Sequence, residues 1–282
     1  VKKISNHITK KVADKLNDMF KKDRKDFEEK WNDIKMIVEY GMLTEEKFYE
    51  KAKKFGLYQN EMGDYFTWDE YLEKVKPNQT DKEGNTIILY AAHKEGQHAY
   101  IQAAKSKGYD VLVLESPLIS HLMQKFEMED QKVKFARVDS DLIDNLIKKE
   151  ENRVSKLADS DKEKVKEAIE ANITKEKYTV RLEDLDSAEP AFVITVPEFM
   201  RRMKEMQATG GGMYGMMGDM PEMYDLVVNS NHELTEKILG ESDEEKRNAL
   251  IVQATDLAKL QQNLLHGEEL TKFISRSYEM IG

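Results

Sequence analysis

The sequence predicts a multidomain α+β protein that contains an α/β segment. A helical segment comes first, then a small α/β (αβα) subdomain, then an α+β domain that ends in a helical hairpin. Three observations carry this. Apolar residues recur at helical spacing through the first 55 positions. Short continuous apolar runs then alternate with helical patterns, as in a parallel sheet covered on both faces. Finally, two amphipathic stripes close the chain. The boundaries fall at 1–56, 57–151 and 152–282.

In the first segment Ile4, Ile8, Val12, Leu16, Met19 and Phe20 share one helical face, and Phe27, Trp31, Ile34 and Val38 share the next. Gly41 suggests a turn, Thr44 an N-cap, and Gly56 the end of a short helix. Thr67 with Glu70 is a capping box that opens a helix of roughly eight residues. Thr86 to Ala91, Asp110 to Leu114 and Lys132 to Val138 are the strands. Gln97 to Lys107 and Leu118 to Phe126 are the helices between them. Ser160 with Glu163 and Ser242 with Glu245 are two more capping boxes. Tyr178 to Leu182, Ala191 to Val196 and Tyr224 to Val228 are strands. Pro197 starts a helix that runs to Gln207, and His232 to Leu239 form another. The third box opens a helix of roughly 22 residues, marked by Leu250, Ala254, Leu257, Leu260, Gln261 and Leu264. Gly267 breaks it, and Leu270, Phe273, Ile274, Ser277 and Ile281 line the last helix. The hairpin is completed either by its own domain or by a second copy in a four-helix bundle.

Composition limits the function. The hydrophobic fraction is 40% and the charged fraction 35%, which fits a globular chain with a charged surface. A net charge of -10 disfavours nucleic acid and anionic membranes as partners. With no cysteine, disulfides and thiolate metal sites are excluded. No apolar run reaches the roughly 18 residues of a membrane span. The chain starts with Val1 in mid-pattern, as a piece of a longer protein would.

Catalytic motifs are absent. The six histidines form no metal-ligand spacing, and His93 and His98 read as loop residues beside a strand–helix turn. Asp69-Glu70 and Glu127-Glu129-Asp130 read as solvated acidic faces. Gly210-Gly211-Gly212 with Gly215 and Gly218 lacks the Lys-Ser/Thr of a phosphate loop, and Asp219 follows it. Ser116 lacks the glycines of a nucleophile elbow and reads as an N-cap. No catalytic, cofactor or metal residue is assigned.

The unusual stretch is ATGGGMYGMMGDMPEMYDLV, Ala208 to Val227. Eight of the fifteen methionines lie between Met200 and Met223. Unbranched, polarizable side chains among glycines suit a surface that repacks around varied apolar partners.

NDIKMIVEYGMLTEEKFYEKAKKF, YFTWDEYLEKVKPNQ and IILYAAHKEGQHAYIQAAKSKGYDVLVLESPLISHLMQKFE, with the closing hairpin, resemble the heat-shock protein 90 chaperones, bacterial type. The match is most specific from Tyr65 to Phe126. The resemblance implies the helical end of a larger middle subdomain, a small middle subdomain and a C-terminal dimerisation domain. It implies a cytoplasmic bacterial homodimer that binds unfolded or partly folded clients, with the heat-shock protein 70 system as a further partner. The parent would be an ATPase using ATP and Mg, and this stretch would not be an enzyme. The closing residues lack the acidic Met-Glu-Glu-Val-Asp tail that recruits helical-repeat cochaperones. Client contact is expected from Met203, Met206, Met213, Tyr214, Met216, Met217, Met220 and Met223, and from Leu122 and Met123, since Leu122 aligns with an exposed aromatic of the family. The dimer interface is expected from the hairpin residues named above. The alternatives are a small-molecule-binding α/β domain at the strand ends near His93 and Glu115, and a purely structural dimerisation module.

Overall fold

The computed structural model describes residues 2–148, 154–208 and 222–281. It is a mixed α+β structure with small sheets. Its contacts separate two units, Val1–Val138 with Ile143–Lys149, and Asp139–Leu142 with Glu150–Gly282.

The first unit opens with α1 (Lys2–Lys22), α2 (Arg24–Thr44) and α3 (Glu46–Ala52). Asp23 caps α2 by accepting the N–H of Asp26 at 3.1 Å. Gly41 does not turn the chain. It lies inside α2, where a Cβ would come within 2.8 Å of the Phe48 ring. Its missing side chain lets α3 pack closely. Thr44 is not the N-cap of α3 either. Its hydroxyl donates back to Tyr40 O at 2.9 Å, and Glu45 holds the cap position without a side-chain bond.

β1 (Leu57–Gln59) and β2 (Tyr65–Thr67) form an antiparallel pair, and α4 (Trp68–Val75) follows. The Thr67–Glu70 capping box forms with both bonds present. Arg24 clamps Glu70 with contacts of 2.6 and 2.8 Å and also donates to Tyr65 O at 2.9 Å. This hydrogen bonding from Arg24 holds the Glu70 carboxyl below its usual range. Its folded value is depressed, so its stabilisation is present above the unfolded carboxylate pKa. It is lost as pH falls through the folded value. Glu70→Ala removes the clamp and half the box. We expect it to cost the first unit about 1–2 kcal/mol at neutral pH in urea unfolding, and less in acid.

A three-stranded parallel sheet lies beyond, in the order β4 (Leu112–Val113), β3 (Thr86–Ala91), β5 (Val133–Arg137). All six residues of β3 are buried, as its continuous apolar run requires. β4 is shorter than expected, although Leu114 N still donates to Ala91 O at 2.8 Å. α5 (His98–Ser106), α6 (Ile119–Glu129) and the short α7 (Ile143–Leu146) complete the unit, with Gly108 at φ +75° after α5. One core joins the helices to the sheet. Trp68 stacks on Phe126 at 4.2 Å and on Phe135 at 5.6 Å, and Tyr58 meets Trp68 edge-on. Ser116 accepts the N–H of Leu118 at 3.2 Å and donates to the buried Glu39, whose carboxyl burial pushes up.

In the second unit α8 (Asp159–Glu170) starts from Ala158 without a side-chain cap, so the Ser160–Glu163 box does not form. β6 (Tyr178–Glu183), β7 (Phe192–Thr195) and β8 (Tyr224–Asn229) make one sheet. β8 lies in the middle, parallel to β6 and antiparallel to β7. α9 (Glu198–Ala208) connects onward from β7, and α10 (Glu233–Gly240) follows β8. His232 caps α10, with Nδ1 accepting the N–H of Leu234 at 3.0 Å. α11 (Glu244–Gln261) has 18 residues rather than 22. Asp243 caps it instead of Ser242, accepting from Glu245 and Lys246 at 3.0 and 3.2 Å. A charged acceptor at the positive end of a helix is the stronger partner. Asn263 (φ 56°) and Gly267 (φ 55°) make the turn into α12 (Gly267–Ile281). The core of this unit gathers Val165, Ile169, Leu226, Val228, Ile238 and Ile251.

Candidate functional site

α11 lies along its own sheet. Ile251, Ala254 and Ala258 are buried there, Leu250 and Leu264 pack against the same core, and Gln262 Nε2 donates to Ile194 O at 3.0 Å. Ala254 is therefore closed to a partner, as is Phe273 of α12, which is also buried. The interface reading is corrected at these two positions, and Leu250 and Leu264 likewise pack on their own unit's core. Gln261, Leu270 and Ser277 are half-buried. Four expected residues do face outward, namely Leu257 (52% exposed), Leu260, Ile274 and Ile281 (84%). Tyr278 and Met280, which the spacing argument missed, join them. Ile274, Tyr278 and Ile281 follow i, i+4, i+7 spacing, so they form one apolar stripe on α12.

The Gly/Met stretch leaves the described structure at Ala208 and returns at Glu222. Met213, Tyr214, Met216, Met217 and Met220 lie outside the described residues. Met206 sits on α9, Met203 is half-buried, and Met223 is exposed. Phe199, absent from the sequence reading, is 69% exposed on the first turn of α9. Lys204 pairs with Glu222 and so holds the two ends of the stretch together. Tyr224 also donates to Glu222 at 2.9 Å. Bonds from Lys204 first and Tyr224 second keep the Glu222 carboxyl below its usual range. Tyr224 stacks on Tyr178 with centroids 5.7 Å apart, and Lys177 lies over both rings. The Tyr178 phenol is pushed up to about 12, by burial first and then by the charges of Glu269, Asp256 and Glu222. Residues of α11 and α12 thus act on the same tyrosine as the anchor of the Met stretch.

Leu122 and Met123 require a correction. They are 0% and 1% exposed, inside the first unit's core. Ile119, Leu122, Met123 and Phe126 share i, i+3, i+4, i+7 spacing, the face that α6 turns inward. They offer no surface to a client in this structure. An exposed apolar group of the first unit lies instead on α2, at Met36, Ile37 and Tyr40.

Among the described residues no group of His, Cys, Asp and Glu could hold a metal, and no helix is long and apolar enough to cross a membrane. His93 N and Ala92 N donate to Gln97 Oε1 at 3.0 and 2.7 Å, so the backbone of the strand–helix turn is satisfied internally.

Residues 1–281 match the family model described as Hsp90 protein. The chain is 37% identical over 348 residues to the chaperone protein HtpG of Bacteroides fragilis, covering all of this chain and 51% of the relative. It is 38% identical over the same length to that of Bacteroides thetaiotaomicron. The chaperone protein HtpG of Porphyromonas gingivalis is 43% identical over 263 residues, covering 92% of this chain and 38% of the relative. The chain spans about half the length, or less, of these curated relatives. The chain belongs to the Hsp90 protein family.

Proposed function

We propose that this chain is the dimerising, client-binding part of an Hsp90-type chaperone. ATP and Mg chemistry would be supplied elsewhere in the whole protein, in a bacterial cytoplasm. The observation that carries the reading is the unpartnered apolar surface of the hairpin: Leu257, Leu260, Ile274, Tyr278, Met280 and Ile281. A second copy is its natural cover, in a four-helix bundle. Burying those six side chains from each copy would contribute on the order of 10–20 kcal/mol, against an association cost of about 4–15 kcal/mol.

The described residues at the ends of the Met stretch would then belong to the client-binding surface. Phe199, Met203 and Met223 flank the stretch, and methionine can repack around unlike apolar partners. Non-native protein presents such groups without fixed geometry. A purely structural dimerisation module would have no use for Phe199 in water.

Deletion of residues 210–218 tests the client surface. We expect the dimer mass to persist and the suppression of aggregation of a thermally unfolded substrate protein to fall severalfold. Unchanged suppression would overturn the client-surface reading and favour a structural module.

A further inference from the structure

α12 buries only Phe273 among its fifteen residues. Apolar contact alone cannot then fix its rotation about its own axis. Polar groups do so. The Arg276 guanidinium reaches two acceptors one turn apart on α11, with Nε donating to Gln253 Oε1 at 2.7 Å and an Nη donating to Asp256 Oδ2 at 2.5 Å. Gln253 Nε2 donates to Ser277 Oγ at 2.9 Å, and Ser277 donates to Phe273 O at 2.7 Å. Lys259 adds contacts of 3.4 Å to both Asp256 and Glu269. Asp256 is buried, so water and salt screen the pair weakly.

A planar fork held on two fixed acceptors sets an angle, which a single ammonium does not. Arg276 sits within the run that carries the exposed stripe, between Ile274 and Tyr278. Fixing Arg276 therefore fixes where the stripe points relative to Leu257 and Leu260 on α11.

We infer that the Arg276–Gln253–Asp256 clamp is a positioning device for a second copy of this chain. It presents the apolar residues of both helices as one surface before the partner arrives. The inference rests on the dimer reading above and adds what makes that surface preorganised. Without the clamp, α12 must be ordered during association, and that cost falls on affinity.

The test compares the full chain with Arg276→Met and Arg276→Lys by sedimentation across a dilution series. Removing a charge-assisted bond of this kind should raise the dimer dissociation constant by about 10- to 100-fold. Arg276→Lys should recover part of the loss, because it keeps the charge but not the fork. A second readout is hydrogen exchange in the monomeric Leu257→Glu background. There Arg276→Met should speed exchange of α12 amides and leave β6 and β8 unchanged. A dimeric wild-type chain whose dissociation constant is the same in Arg276→Met would overturn the inference and spare the dimer reading. A wild-type chain that stays monomeric at every concentration would overturn both.

Discussion

Leu257→Glu should convert the proposed dimer into a folded monomer. The side chain is half in water in the isolated chain, so the charge costs the second unit little. In a bundle across a two-fold axis the same position lies twice in one apolar interface, and two buried carboxylates would face each other unpaired. Truncating or charging such a centre costs about 2–5 kcal/mol per site, enough to move association out of the micromolar range. Light scattering should then give half the wild-type mass, with an unchanged far-ultraviolet spectrum. Leu264→Glu should behave differently. Leu264 packs on its own core, so the charge should destabilise the unit itself. If Leu257→Glu kept the wild-type mass, the exposed hairpin would not be the interface.

Trp68→Ala should unfold the first unit at far lower denaturant while leaving the proposed dimer intact. The indole is buried, stacked on both Phe126 and Phe135, which also meet each other at 6.3 Å, and edge-on to Tyr58. Replacing such a residue leaves a cavity and costs about 3–5 kcal/mol, a large share of the about 5–15 kcal/mol that holds a typical domain. Both tryptophans, Trp31 and Trp68, lie in the first unit. Trp31 fluorescence therefore still follows that unit in the variant. Its midpoint should drop sharply, while mass measured in the absence of denaturant should not change. A variant with an unshifted midpoint would show that the aromatic stack contributes little.

The sequence was most readable where one local rule decided the outcome. β3 spans the expected residues because six successive side chains are buried, and the Thr67–Glu70 box forms because both partners lie in one helical turn. Two other boxes failed for local reasons too. At α11 a neighbouring carboxylate outcompeted the serine, and α8 began two residues before its box could close. Gly41 misled because its small size serves helix packing against Phe48, not a turn.

Long-range facts were less accessible. Nothing in the spacing of β6 and β7 shows that β8 inserts between them. Periodicity identified the apolar positions of α11 and α12 but could not say which face belonged to the home core. Ala254 and Phe273 turned inward, while Leu257 and Ile274 turned outward. At Leu122 and Met123 the family resemblance suggested exposure and a plain core reading stood beside it, and the structure buries both residues. Phe199 and Tyr278 were missed because an apolar residue left in water has no signature in a single sequence.

On the reading proposed above, non-native protein is held on the surface around the Met stretch. The most direct measurement places a photo-crosslinking amino acid singly at Phe199, at Met223 and, as a control, at Met128, which is exposed on the first unit. Each variant is irradiated with a chemically unfolded substrate protein and with the same protein folded. Strong crosslinks are expected from 199 and 223 to the unfolded form, few to the folded form, and few from 128. Equal crosslinking at all three positions, or crosslinks from 128 alone, would contradict that reading.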